Sequence, residues 1–184
     1  MSDVVIVGGG PAGLSTALFT AKDGLETAVF DTDETWMHKA KLYNYLAIEE
    51  IGGTEFIDRS RDQVKRFDAD LRIGEEVTDV EQDEDGFTIR TDDGEYDATY
   101  VVFATGTATE LPEQLGCEIT EEGLVDVDLN MRTSIENAFA VGSMIRDQKW
   151  EAIISAGDGG AAALQILSNE AGEPVHDFDT PDEE

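Results

Sequence analysis

Residues 3–33, DVVIVGGGPAGLSTALFTAKDGLETAVFDTD, run from an unbroken apolar stretch, Val4 to Val7, through three glycines into a segment of helical periodicity. A second apolar stretch, Ala28 to Phe30, ends on Asp31. The order is strand, tight turn, helix, strand, which is the opening βαβ unit of a dinucleotide-binding fold. Gly8, Gly10 and Gly13 occupy the glycine positions of the G-x-G-x-x-G turn. The first allows a sharp exit from the strand, the second a close approach to a pyrophosphate, and the third tight packing of helix on strand. Pro11 falls at the first helical position, where its missing N–H costs nothing. The free amides and positive dipole end of that helix then face phosphate oxygens. Asp31 comes about twenty positions after the turn, where a carboxylate accepts hydrogen bonds from an adenosine ribose. A glycine turn alone is a weak signal; this one has its strand, helix and acid in place.

With 184 residues, 40% of them hydrophobic, the chain is long enough for one domain that buries roughly 70% of its unfolded surface. No stretch approaches the roughly 20 apolar residues of a membrane span, and the sequence starts almost directly in a strand. Neither a membrane segment nor a signal peptide is expected, and the expected location is the cytoplasm. Acidic residues number 42 against 12 basic, a formal charge of −30 at pH 7. Self-repulsion of that size opposes compactness unless salt screens it. Spread along the whole chain, the carboxylates look like those of proteins from salt-loving archaea. A local acidic interaction tail accounts only for HDFDTPDEE, residues 176–184. The melting temperature should therefore rise steeply with added KCl or NaCl, and indifference to salt would count against that reading. Nothing here could neutralise phosphates along a strand, so nucleic-acid binding is disfavoured. One cysteine, Cys117, excludes an internal disulfide and a C-x-x-C redox motif, and reads as a small buried residue. His38 and His176 are too few and too far apart to suggest a metal site or a triad, so no metal is expected.

Farther along, residues 33–52 are apolar yet irregular, either a loop with a short helix lying against a ligand or a segment covering the core. Residues 54–68 space Phe56, Ile57, Val64 and Phe67 at helical intervals, with Thr54 as N-cap. The runs LRIGEEVTDVEQ, DGFTIRT and GEYDATYVVFATG, with turns at Asp85-Gly86 and Asp93-Gly94, suggest a small antiparallel meander feeding a buried strand, Tyr100 to Ala104. Residues 107–137 read as loops and short strands, AFAVGS (138–143) as a last buried parallel strand, and Trp150 to Ser168 as a small-residue helix. Beyond Asn169 the chain turns acidic and is expected to fray.

Three segments together resemble one family, the FAD domain of low-molecular-weight thioredoxin reductases and their flavoprotein relatives. They are VVIVGGGPAGLSTALFTA (4–21), YVVFATG (100–106, with Ala104, Thr105 and Gly106) and AFAVGSMIRDQKWEAIISAGDGGAAAL (138–164). The likeness covers about residues 3–168. It implies a single α/β domain, Rossmann-like and three-layered, with a parallel sheet, helices and a small antiparallel meander. The FAD-binding domain would be residues 1–170 and the acidic tail 171–184. By position, Gly8, Gly10, Pro11, Ala12 and Gly13 would hold the FAD pyrophosphate and Asp31 the adenosine ribose. Val77 would meet the adenine, Asn44 the flavin, Gly142 and Ser143 the ribityl chain, and Ala104, Thr105 and Gly106 would also line the cofactor. Glu151 and Ala152 would start a helix whose N-terminus faces the flavin ring, stabilising its reduced, anionic form by roughly 0.3–1 kcal/mol or more.

The departures from that family carry as much information. Its NAD(P)H-binding domain, with its dithiol, is inserted between the Ala-Thr-Gly strand and the C-terminal FAD segment, whereas here only about thirty residues separate Gly106 from Ala138. Ser143 stands for the usual aspartate, Glu151 for the usual glutamine, and Leu46-Ala47 for Pro-Gly. Glu151 is either a carboxylate that lowers the flavin potential or relays protons, or simply a first-turn acid on the helix dipole. Trp150 either stacks near the flavin or caps the core, and Lys41 and Lys149 face either the cofactor or water. The expectation is a single-domain flavoprotein oxidoreductase fed by a separate redox partner, not a self-contained thioredoxin reductase. A non-catalytic FAD- or nucleotide-binding module, and an NAD-binding dehydrogenase half, are the alternatives. An apolar face left uncovered over the flavin would favour a homodimer.

Overall fold

Alternation along the first strand sets the layers. In the computed structural model, which describes residues 2–180, β1 (Ser2–Val7) sends Val4 and Ile6 to one face and Val5 and Val7 to the other, all nearly inaccessible. The chain continues through α1 (Pro11–Lys22), β2 (Thr27–Asp31), a 3-10 turn at Trp36–Lys39, the short pair β3 (Lys41–Leu42) and β4 (Ile51–Gly52), and α2 (Gly53–Lys65). Then come β5 (Asp70–Ile73), β6 (Val77–Gln82), β7 (Phe87–Thr91) and β8 (Glu95–Phe103). The last elements are α3 (Glu110–Leu115), β9 (Ala138–Ala140), a 3-10 turn at Gly142–Ile145 and α4 (Ala152–Ala171).

β1 lies between β2 and β8 and parallel to both, β5 pairs parallel with β2, and β9 pairs parallel with β8. β8 is long because it belongs to two structures. Its first residues pair antiparallel with β7, which pairs with β6, while Tyr100–Phe103 align with Val4–Val7 in the parallel sheet. Tyr100 and Val102 face the helix side with Val29 and Phe139, against α1, α2 and α4. Val101 and Phe103 face the other side with Phe30, Ala138 and Ala140, where Val77, Val80, Phe87 and Ile89 of the meander cover them. Phe30 touches Tyr96 of β8 with ring centroids 4.8 Å apart, so the meander folds back over β2 as a third layer. Each such buried aliphatic or aromatic side chain contributes about 1.5–3 kcal/mol, and the strands are apolar on both faces because both are covered.

The structure corrects several element assignments. Asp70–Ile73 is not part of the meander: it is the outer parallel strand beside β2. Thr54 does not cap α2. The helix begins at Gly53, two residues earlier than a Thr54 cap implies, with Gly52 as N-cap; a Cβ at Gly53 would sit 2.7 Å from the Met37 carbonyl carbon, so only glycine packs there. The segment 107–137 contains a helix, α3, with Pro112 inside its first turn. α4 starts at Ala152 and extends to Ala171, where Gly172 closes it in a left-handed conformation. The tail does not simply fray: Lys22 pairs with Asp177 at 2.7 Å and also with Asp179, and Ser168 Oγ accepts from Val175 N at 3.0 Å. Residues 181–184 lie outside the described residues. Cys117 is buried, and that burial pushes its thiol above the ordinary range. No helix among the described residues is long and apolar enough to cross a membrane.

Candidate functional site

The glycine bend opens at the C-terminal edge of the sheet, where β1 is flanked by β2 on one side and β8 on the other. Chain direction from β1 goes first outward to β2 and later returns to β8, so this edge is the topological switch point at which open α/β sheets bind ligands. Gly8 N donates to Phe30 O at 2.8 Å, tying the bend to β2. At φ +112° Gly8 has a backbone that side chains rarely adopt, and a Cβ there would lie 2.7 Å from the Ala104 carbonyl carbon. The second strand flank is thus pressed against the bend: Ala104 is buried, Thr105 half-buried and Gly106 exposed in the turn that follows.

Gly10 is the N-cap of α1 and Pro11 its first residue. Leu14 N donates to Gly10 O at 2.9 Å, which leaves the amides of Ala12 and Gly13 with no carbonyl one turn back. Only Thr35 Oγ1, at 3.6 Å, approaches the space a Gly10 side chain would fill, so the cradle is open at this point. It is closed beneath, since a Cβ at Gly13 would meet the carbonyl carbon of Gly8 at 3.1 Å. An open, amide-lined concavity at a helix N-terminus fits a diphosphate. The Asp31 carboxylate lies beside it, 5% exposed, with Gly74 N donating to Asp31 O at 2.6 Å. The turn that leads into Val77 therefore starts at the same corner, and Val77 itself opens β6 with its side chain in the core.

A second helix end joins the first. Gly142, at φ +81°, packs where a Cβ would be 3.1 Å from Ala12 Cβ, and Gly159 of α4 lies where one would be 3.0 Å from the Ala12 carbonyl carbon. This close packing points the N-terminus of α4, with Glu151 as N-cap and Ala152 as first residue, toward the same edge. Ser143 is half-buried in the turn between. Arg146 braces that turn on α4 through Asp158, with Nε to Oδ2 at 2.8 Å, and the buried carboxylate holds the guanidinium above its usual range. Across the edge, Asn44 Nδ2 donates to Glu151 Oε2 at 2.6 Å, and Trp36 meets Trp150 edge-on at 6.0 Å. Trp150 Nε1 in turn donates to Arg146 O at 2.9 Å. Ala47 adopts φ +71°, a left-handed conformation in the loop where the resembled family carries glycine.

The fifteen residues expected to hold a cofactor thus fall along one edge, from Val77 and Asp31 through the bend to Asn44 and Glu151. Sequence reasoning missed two others. Gly9 is buried under Asp31, and a Cβ there would stand 2.6 Å from the Asp31 carboxyl carbon. Arg61 of α2 is buried and paired to Asp31; its signal was an arginine on the helix face shared by Ile57 and Val64. Among the described residues, no three His, Cys, Asp or Glu side chains are grouped to hold a metal ion.

A family model described as pyridine nucleotide-disulphide oxidoreductase matches residues 2–106 and, in a second overlapping match, 47–160. Ferredoxin–NADP reductase of Streptococcus agalactiae serotype Ia is 32% identical over 136 residues, which are 69% of this chain and 41% of that protein. The F component of alkyl hydroperoxide reductase from Staphylococcus aureus (strain NCTC 8325) is 31% identical over 111 residues, 56% of this chain and 21% of that one. The chain therefore spans less than half the length of these relatives. Among solved structures, a thioredoxin reductase from Gloeobacter violaceus superposes with a TM-score of 0.86 at 20% identity, covering 98% of each chain. T. acidophilum thioredoxin reductase gives 0.85 at 20% identity, covering 92% of this chain and 99% of that one. At such identities the superposition speaks for the fold.

Proposed function

The chain belongs to the pyridine nucleotide-disulphide oxidoreductase family, whose members bind FAD, and from that premise we propose a single-domain flavoprotein that takes its electrons from a separate donor. FAD, when bound, supplies the redox chemistry, and the protein supplies binding, orientation and electrostatics. The observation that carries the reading is the open, amide-lined bend at the β1/β8 switch point with Asp31 beside it. The amides of Ala12 and Gly13, with Gly8, Gly10 and Pro11 shaping the bend, hold the pyrophosphate. Asp31 accepts from the adenosine ribose, and the Val77 backbone meets the adenine. Ala104, Thr105 and Gly106 line the strand beside the bend, while Gly142, Ser143, Ala152, Asn44 and Glu151 face the ribityl and ring end. The exposed Trp36 and Trp150 meet there, Tyr43 and Leu46 are exposed in the loop that carries Asn44, and we assign to them the contact with a redox partner or a second copy of the chain.

Support for a separate donor comes from what lies between Gly106 and Ala138. That segment is spent on α3 and on irregular chain whose Leu111, Leu115, Cys117 and Val125 cover the sheet, and it forms no second nucleotide-binding unit. We place the working domain at residues 1–170, the acidic tail at 171–184, and the protein in the cytoplasm.

The full chain purified in molar KCl should carry a flavin spectrum, and anaerobic NADH or NADPH should bleach it slowly or not at all. A colourless protein that binds NAD would remove the flavin assignment. Fast stoichiometric bleaching by either nicotinamide would remove the separate donor.

A further inference from the structure

Arg61 has no part in the function just described, yet it occupies an expensive position. Ile57, Arg61 and Val64 share the buried face of α2, where a cation is tolerated only if paired. The Arg61 side chain is 11% exposed, and its Nη2 donates to Asp31 Oδ2 at 2.7 Å and to Asp33 Oδ1 at 2.5 Å. Its Nε is buried without an acceptor among the described residues, an unmade hydrogen bond that the fold accepts to keep the guanidinium there. The backbone confines Asp31 as well: Gly9 lies beneath the carboxylate, and Oδ1 accepts from Asp33 N at 3.2 Å. Asp33 is held from the other side by His38 Nε2 at 3.1 Å, and His38 Nδ1 pairs with Thr54 Oγ1 at 3.0 Å. Thr54, His38, Asp33, Arg61 and Asp31 thus form one connected chain of polar contacts from the first turn of α2 to the tip of β2.

We infer that Arg61 is the positioning residue of the adenosine end: it fixes the Asp31 carboxylate for ribose hydroxyls and makes the site select a free 2′-hydroxyl over a 2′-phosphate. This rests on the proposal that Asp31 takes the ribose. An arginine beside a β2 carboxylate can instead accommodate a 2′-phosphate. Here its Nη2 is committed to two carboxylates, and the three side chains together carry net negative charge, which repels a phosphate.

The full chain, stripped of bound nucleotide in molar KCl, is titrated with FAD, ADP, 2′-deoxy-ADP and 2′-phospho-ADP. If the parent protein does not bind FAD, the proposed function fails, and does so separately from this inference. With FAD bound by the parent, ADP should bind more tightly than either 2′-variant. Arg61→Met should weaken FAD and ADP about tenfold, the worth of one well-placed charge-assisted hydrogen bond, and bring the ADP to 2′-deoxy-ADP ratio to about one. Arg61→Lys should recover part of that ratio. Where Arg61→Met leaves Asp31 too costly to bury, Asp31→Asn with Arg61→Met removes both charges, and it should bind ADP no more weakly than Asp31→Asn alone. A parent that prefers 2′-phospho-ADP, or an Arg61→Met protein that keeps the parent's ADP to 2′-deoxy-ADP ratio, would overturn the inference.

Discussion

The two ends of the proposed FAD cleft are built differently. At the adenosine end, backbone presses on backbone. Gly8 meets the Ala104 backbone and Gly13 that of Gly8, Gly9 packs under the Asp31 carboxylate, and the Arg61–Asp31 pair is buried. At the other end, loops face each other through side chains, with Asn44 on Glu151 and Trp36 on Trp150, and the participants are largely exposed. A site that must grip the invariant half of a cofactor gains from rigidity, whereas one that must admit an electron donor needs surface. The first end should therefore be sensitive to single atoms, and the second to partners.

The largest effect should come from adding one carbon at the bend. Gly8→Ala must strain a left-handed backbone and displace the Ala104 carbonyl, so it should cost about 3 kcal/mol or more and abolish FAD binding, read by denaturant unfolding and flavin content. The matched control is Gly157→Ala on α4, where nothing lies within 4 Å of the new carbon. There the same change should stabilise by about 0.5–1 kcal/mol, because alanine is the better helix former. Equal losses at both positions would mean that the close approach of backbone at the bend does not set the cost there.

Arg146→Met tests what stiffens the looser end. It leaves Asp158, whose side chain is 6% exposed, as an uncompensated buried carboxylate. The expected cost is about 3 kcal/mol, together with faster proteolysis near residues 143–151. A loss below about 0.5 kcal/mol would mean that this turn is braced by packing rather than by the ion pair.

The contrast bears on what could be read from sequence. The bend, α1, β2 and the acid at its tip were legible because each is a local signal. Glycine spacing, periodicity and a proline at the first helical position all act within thirty residues. Asp70–Ile73 was not legible as a parallel strand, since its side chains are largely exposed and only its pairing with β2 places it. α3 was hidden by Pro112, which reads as a breaker but sits harmlessly in a first turn. Thr54 had the chemistry of an N-cap and lost to a tertiary contact, the approach of Gly53 to Met37. Arg61 was passed over because a charge on a helix ordinarily faces water; its partners lie about thirty residues away, on another element.

The pH response should also come from the adenosine end. Hydrogen bonding to Arg61, and then to His38, holds the Asp33 carboxyl below its ordinary 3.8. A depressed folded value means that the stabilisation is fully present above about pH 3.8 and is lost as pH falls below it toward the folded value. Thermal melts of the parent should therefore drop more steeply below pH 4 than those of Asp33→Asn, with the two running parallel above it. Parallel curves throughout would show that Asp33 is no more engaged than a surface acid.

The smallest effects on stability belong to the exposed loops, and there the comparison is sharpest. Ala47 holds φ +71° without the freedom of glycine, so Ala47→Gly should stabilise by about 1 kcal/mol even though it removes a methyl group. Trp36 is 67% exposed and meets Trp150 edge-on, a contact worth about 0.5–1.5 kcal/mol. Trp36→Ala should accordingly leave the melting curve and the flavin content nearly unchanged. If the exposed aromatic rim is where a donor or a second copy docks, the same substitution should slow reduction by a protein donor, or lower the apparent mass in high salt, well out of proportion to its effect on stability. A Trp36→Ala protein that lost its flavin instead would make the rim part of the cofactor cradle, and the division between a gripping end and an exposed end would have to be redrawn.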